Sequence, residues 1–406
     1  MSHPGDLSIA GFNYVLPEDR IATRPLGERD ASRLLLYNKG VISESAFKQI
    51  GQFLPEGALL VFNNSRVIQS RLSFKKAGGS TIEIFILEPC VEYGDITTAM
   101  KTTGSIRCIC LVGGAKKWKQ GKLELVLTGD GEPFVMTAEM IIRRAEDFVI
   151  ELKWQPETDF ATALELFGNT PIPPYLQRPA DETDRQRYQT IYAKENGSVA
   201  APTAGLHFTP AVMQTLEAKN IASAYTTLHV GAGTFKPVKA EKISGHEMHA
   251  EYITIDFSFI DKLIAYEKII PVGTTSMRTI ESLYWMGVKA WINPAATAAE
   301  IEIHQWDVYD EKLQQPVSKE MALGSLQRWM QERNMPQLIV KTQIMIAPPY
   351  QPKIVTGLVT NFHQPQSTLL LLIAALTGDD WKKMYDYALA NGFRFLSYGD
   401  SSYISW

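Results

Sequence analysis

The sequence predicts an α/β main domain on a mainly parallel, barrel-like sheet, with a small all-β unit inserted into it. Three observations lead there. From about residue 200 onward, strand-like and helix-like runs alternate. Between residues 70 and 155 they do not. TIEIFIL, IRCICLV, KLELVLT and DFVIEL are short runs with partial period-two alternation, separated by Gly, Asp or charged turns. A chain of 406 residues also has room for two or three domains. We therefore expect residues 1–69 and 156–406 to form the main domain and 70–155 the insert.

Taken in order, ALLVFN at 58–63 is the strand that ends the first segment. Within the insert, Cys108 and Cys110 share one strand face. Residues 171–193 are proline-rich and then helical. Thr209-Pro210 opens a helix, with Thr as N-cap and Pro at the first helical position. A strand through about Tyr225–Val230 follows, then a helix near 258–268, the strand IIPVG and a helix opened by TTS at 274–276. Strands QIMIA and IVTGLVT and helices after Ser367 and Asp380 complete the series. Residues 285–340 fit this rhythm poorly and read as an inserted excursion.

Bulk properties narrow the function classes. The net charge of −4 gives no whole-molecule sign of a nucleic-acid binder, so such a role must rest on local patches. Cys90, Cys108 and Cys110 make no disulfide framework and read as reduced thiols. MSHPGDLSIA lacks the basic start and apolar core of a signal peptide. The longest greasy run, Leu369 to Leu376, is far short of a membrane span. A soluble, cytoplasmic, monomeric protein with no membrane partner is expected.

The motifs that could carry chemistry begin with AAPTAGLHFTP (200–210) and LHVGAGTF (228–235). They place His207 and His229 in loops with Thr203, Gly205, Gly231, Gly233 and Thr234. Small residues let backbone approach a ligand, and histidine is a proton acceptor near neutral pH. Chain turning is the plainer account. Five of the seven histidines, however, fall in a few compact segments: His207, His229, His246, His249 and His363. VGTTSMRTIES runs from strand to helix and offers free helix N–H groups at Gly273, Thr274 and Thr275, unless Thr275 or Ser276 merely caps it. Arg278 and Glu281 share a helix face, as substrate contacts or a surface ion pair. Asn361 and His363 sit at a strand end, where α/β sheets present ligands. Asp400 stands beside a glycine turn in SYGDSSYISW, and a plain turn is equally compatible. His246 and His249 do not make the HExxH zinc pattern, and no metal is expected. VGAGTF does not run into a helix, because Lys236-Pro237-Val238 follows, so it is not read as a nucleotide loop. Lys116, Lys117 and Lys119 of AKKWKQGK, and Arg185 and Arg187 among tyrosines, suit phosphates, as they would suit a solvated loop or a domain hinge; Arg66 and Arg71 join them if the ligand is RNA.

Together LPEDRIATRPLGERDASRLL, LLVFNNSRVIQSRL, IPPYLQRP, DRQRYQTIYA, SVAAPTAGLHFTP, TLHVGAGTFKPV, HEMHAEY, VGTTSMRTIES, LVTNFHQPQSTLLLL and FRFLSYGD resemble the S-adenosylmethionine:tRNA ribosyltransferase-isomerases. The resemblance runs from about residue 13 to residue 400. It implies an α/β domain with an inserted small β-barrel. It also implies transfer and isomerisation of the ribosyl part of S-adenosylmethionine onto 7-aminomethyl-7-deazaguanine at the tRNA wobble position. The products would be epoxyqueuosine-tRNA, adenine and methionine. S-adenosylmethionine would be consumed as a substrate, with no cofactor. A sulfonium acidifies the adjacent 5′ C–H, so a base is needed. His207 or His229 is the first expectation, with Glu281 and His363 behind them. Residues 285–340, Gln364, the GGAKKWKQG loop and the tail depart from the family pattern. The alternative is therefore a tRNA-binding paralogue with lost or altered activity.

Overall fold

In a computed structural model of the chain, the described residues are 3–76, 78–128, 132–231 and 240–406. The stretch expected to be all-β contributes six strands to a seven-stranded antiparallel half-barrel. Its order is Gly168–Asn169, Arg71–Lys75, Thr81–Pro89, Ser105–Gly113, Phe148–Gln155, Phe134–Arg143, Leu123–Leu127. Alternating residues fill its interior, including Phe74, Ile84, Cys108, Cys110, Met136 and Ile150. Both buried thiols share one face, as period two requires. The strand Phe134–Arg143 was not foreseen. Its register against Phe148–Gln155 shifts at Val149/Ile150, and a bulge of this kind breaks the alternation in sequence.

The main sheet is not mainly parallel, which overturns that expectation. A five-stranded sheet runs Ile269–Pro271, Leu59–Asn63, Ala222–His229, Glu251–Asp256, Gln337–Thr342. Its first three strands are parallel, and its last two pair antiparallel. A four-stranded sheet runs Gly357–Asn361, Ser401–Ser405, Arg33–Asn38, Val41–Ala46. There only Ser401–Ser405 and Arg33–Asn38 are parallel. A parallel bridge from Val272 to Val359 joins the two sheets. The physical reason lies in burial. Leu59–Asn63, parallel to both its neighbours, is buried throughout, whereas Glu251–Asp256 and Gln337–Thr342 alternate buried with half-buried or exposed residues. Such alternation belongs to half-solvated antiparallel strands.

Two further expectations are corrected. QIMIA is not a strand, since the strand lies just before it at Gln337–Thr342. Residues 285–340 are no excursion. The helix Thr274–Ile292 continues through Trp285 and packs on the helix Lys319–Glu332. Trp285 Nε1 donates to Tyr350 Oη at 2.9 Å, and Trp329 Nε1 to the Ala296 carbonyl at 2.8 Å. Aromatic residues with satisfied polar ends make this segment part of the main core. Elsewhere local chemistry decides as read. Thr209 Oγ1 accepts from Val212 N, and Ser367 Oγ from Leu370 N, each at 3.2 Å, opening the helices Pro210–Glu217 and Thr368–Thr377. Among the described residues no helix is long and apolar enough to cross a membrane.

Candidate active site

The strand Ala222–His229 ends between two cavities. Val230 lines both. On one side lies a pocket walled by Thr203, Val230, Thr274, Thr275, Asn361 and His363. Gly273, with φ of 90°, precedes the helix Thr274–Ile292, and no side chain caps that helix start. Its N–H groups therefore remain available to an anionic group. Ser276 does not cap either, because its Oγ donates back to the Val272 carbonyl at 2.9 Å. The Thr275 hydroxyl has no partner among the described residues. His363 stands on this wall with Nε2 3.0 Å from Thr360 Oγ1, and burial pushes its pKa down to about 3.

On the other side His229 faces a second pocket with Asp95, Ile96, Gly197, Gly231, Tyr252 and Lys341. This pocket shares Gly231, Tyr252 and Lys341 with a cleft of about 630 Å³ between the half-barrel and the main sheet. Arg71 and Arg144 line that cleft. His229 is only 6% exposed, and neither ring nitrogen has a hydrogen-bond partner among the described residues. Burial lowers its pKa to about 4, while the charge of Asp95 acts in the opposite sense. A neutral imidazole with both nitrogens free is a proton acceptor in waiting.

His207, the other expected base, is differently placed. Asn361 Nδ2 donates to the Leu396 carbonyl at 2.9 Å, which turns Oδ1 toward His207 Nε2 at 3.0 Å. His207 Nε2 is then the donor, and Nδ1 accepts from Ser32 Oγ at 2.8 Å. Both nitrogens are occupied, so we assign His207 to the framework. Glu281 is also committed. Its carboxylate accepts from Tyr350 Oη at 2.5 Å and from the Lys353, Ile354 and Val355 amides at 2.8, 3.0 and 3.1 Å. Burial raises its pKa and these donors oppose the rise. It ties the long helix to residues 350–355 and has no lone pair to offer a substrate.

The other candidates divide in the same way. Arg278 is buried against Glu251, with Nε 3.3 Å from the Ile344 carbonyl. Asp400 accepts from the Arg33 and Arg394 amides at 2.9 and 2.8 Å, joining two chain segments. Gly205 makes room for Tyr192. Gly233 and Thr234 lie outside the described residues. Among the expected RNA contacts, Arg71 borders the cleft, bonded to Glu83 at 2.6 Å and stacked over Phe85. Lys116, Lys117 and Lys119 are exposed on a loop of the half-barrel. Arg66 and Arg185 pair with Glu165 at 3.7 and 2.8 Å. Arg187 donates to the Leu26 and Gly27 carbonyls at 2.7 and 3.0 Å and is structural. Asp95, Arg144, Gly197 and Lys341 also line these cavities and were not expected from the sequence. No local motif marks them, apart from the N-cap pattern of Asp95 before Ile-Thr-Thr.

The buried histidines have a measurable consequence. His207 and His229 are lowered to about 4 and His363 to about 3, against about 6.5 when unfolded. The unfolded chain therefore takes up protons first as pH falls. Stability is complete above about pH 6.5 and is lost downward through about pH 4, His363 continuing to about pH 3. Each group costs about 2 kcal/mol at pH 5 relative to pH 7.5. Urea unfolding at the two pH values should show a markedly lower midpoint at pH 5. Equal midpoints would contradict buried neutral histidines.

A family model described as "Queuosine biosynthesis protein" matches residues 9–404 of the sequence. The chain belongs to this family. Among solved structures it is similar to an S-adenosylmethionine tRNA ribosyltransferase from Thermotoga maritima. The two share 27% identity over 97% of this chain and 99% of that one, with a TM-score of 0.44.

Proposed function

We propose that this queuosine-family protein transfers and isomerises the ribosyl group of S-adenosylmethionine onto 7-aminomethyl-7-deazaguanine at the tRNA wobble position. Epoxyqueuosine-tRNA, adenine and methionine are the products. The observation that carries the reading is the position of His229, neutral and unpaired, between a threonine-lined pocket and a cleft lined by Arg71, Arg144 and Lys341 together with Glu83, Glu88, Glu146 and Asp147. In this reading S-adenosylmethionine occupies the threonine-lined pocket. Its methionine carboxylate meets the free start of the helix Thr274–Ile292. Thr203, Asn361 and His363 contact the nucleoside. The ribose reaches past Val230 toward His229, which takes the 5′ proton acidified by the sulfonium. An anticodon-loop base is already unpaired and enters from the cleft at modest cost. Arg71 and Arg144, exchanging their partners Glu83 and Asp147, hold its phosphates there, and Lys116, Lys117 and Lys119, exposed on the half-barrel, are further cations for the RNA. The pocket walls exclude water that would hydrolyse a reactive sugar. The reading needs no cofactor and a single chain.

Purified protein with S-adenosylmethionine and tRNA carrying the aminomethyl base should release adenine and methionine in equal amounts. Tight, salt-sensitive tRNA binding without adenine release would favour the binding paralogue instead.

A further inference from the structure

Asp95 has no place in the reaction just described, yet it stands on the wall of the His229 pocket. It precedes the short helix Ile96–Met100, which the half-barrel carries toward the strand Glu195–Ser198. Gly197 on that strand marks how close the two bodies come. A Cβ there would lie 2.6 Å from Ile96 Cγ1 and 2.9 Å from His229 Nδ1. The half-barrel thus supplies one wall of a pocket whose floor, His229, belongs to the main sheet.

The Asp95 carboxylate accepts from Thr97 N at 2.8 Å, Thr98 N at 3.0 Å and Thr98 Oγ1 at 2.7 Å. A carboxylate has about four acceptor positions, so one remains. These bonds hold its pKa below the usual carboxylate range, burial opposing them, so it stays anionic in mildly acidic solution. The other charged groups on the wall are Glu88 of Thr81–Pro89, which is exposed, and Lys341 of Gln337–Thr342, stacked 5.0 Å from the Tyr252 ring centre. Asp95 is the anchored anion among the described residues of this pocket.

We propose that Asp95 is a specificity residue that docks the alkylammonium of the aminomethyl base beside His229. The inference rests on the function proposed above and names the group that selects its RNA substrate. A primary alkylamine is cationic near neutral pH, and a positioned carboxylate with a free acceptor site prefers it to an uncharged base; the docked ammonium gives one proton to solvent before the neutral amine attacks the ribose. Guanine itself, or an acetylated aminomethyl group, offers no such cation.

The test is equilibrium binding, without S-adenosylmethionine, of two anticodon stem-loops bearing the aminomethyl base and its N-acetyl derivative. The wild-type protein should prefer the amine by about tenfold or more. Asp95→Asn keeps an N-cap acceptor, so the short helix should persist while the charge is lost. It should bind both RNAs equally. Asp95→Glu should restore part of the preference, and Glu88→Gln should leave it intact. A purely structural role for Asp95 would weaken both RNAs together and keep their ratio. That outcome, or loss of preference only in Glu88→Gln, overturns the proposal. If the wild type turns substrate tRNA over but shows no preference for the amine, this inference alone fails. If it neither turns over nor binds either RNA, the function proposed above fails with it.

Discussion

Replacing His229 by Ala should lower adenine release by about 10²–10⁴-fold, the range for loss of a general base. The ring makes no hydrogen bond with a described residue, so its removal strands no polar partner. Substrate binding and the unfolding midpoint should change little by comparison. Single-turnover adenine release, with tRNA affinity measured in parallel, separates these effects. His207→Ala is the informative companion. It strips Ser32 Oγ and Asn361 Oδ1 of their partner, so it should lower stability by about 1–3 kcal/mol. Near-normal turnover in His229→Ala would remove the proposed base. The pH profile gives a second check. Because burial holds the His229 pKa near about 4, its basic form persists far below the usual imidazole range. kcat/KM should therefore show no acid limb at the usual imidazole value of about 6.5, and the loss at lower pH should track unfolding.

The second large effect is expected from a single methyl group. Gly197 has φ of 137°, a conformation that L side chains rarely adopt. The added carbon of Gly197→Ala would also collide with Ile96 Cγ1 and His229 Nδ1. The imidazole or the half-barrel helix must give way. Misplacing a reacting group by about 1 Å can cost about 10²-fold, and overpacking costs about 1–3 kcal/mol. We therefore expect Gly197→Ala to fold, with a lower midpoint, and to lose about 10²-fold in turnover. In a His229→Ala background the same substitution should have little further effect on rate, because both act through one imidazole. Fully additive losses would show that Gly197 acts elsewhere.

These two positions also show what a sequence can disclose. The caps at Thr209 and Ser367 were legible because capping depends on residues three apart. The half-barrel strands were legible through period two, except where a bulge broke it. Strand direction was not, since the hydrophobic period is the same for parallel and antiparallel neighbours. Only the polar alternation of Glu251–Asp256 and Gln337–Thr342 carried a hint. In the sequence His207 and His229 stand in Gly- and Thr-rich stretches of similar composition, and nothing local separates them, although one closes a 3-10 turn and the other ends a strand. The difference comes from Ser32 and Asn361, far away in sequence, which occupy one ring and not the other. Asp95 was hidden for the same reason. Its meaning depends on a helix of the half-barrel meeting a strand of the main sheet.

The central place of Ser401–Ser405 in the four-stranded sheet bears on how the molecule is made. It separates Arg33–Asn38 from Gly357–Asn361, and nearly the whole sequence lies between it and its parallel partner. During synthesis the hairpin Arg33–Ala46 emerges early and must wait with one edge unpaired. Pairing so distant in sequence is slow to form, because loop closure precedes any gain from contact. His207 depends on this late step, since Asn361 lies on the strand beside Ser401. A ribosome-bound chain lacking residues 401–405 would therefore expose a sticky strand edge and an incomplete site. Until that strand is added, the open edge is prone to aggregation.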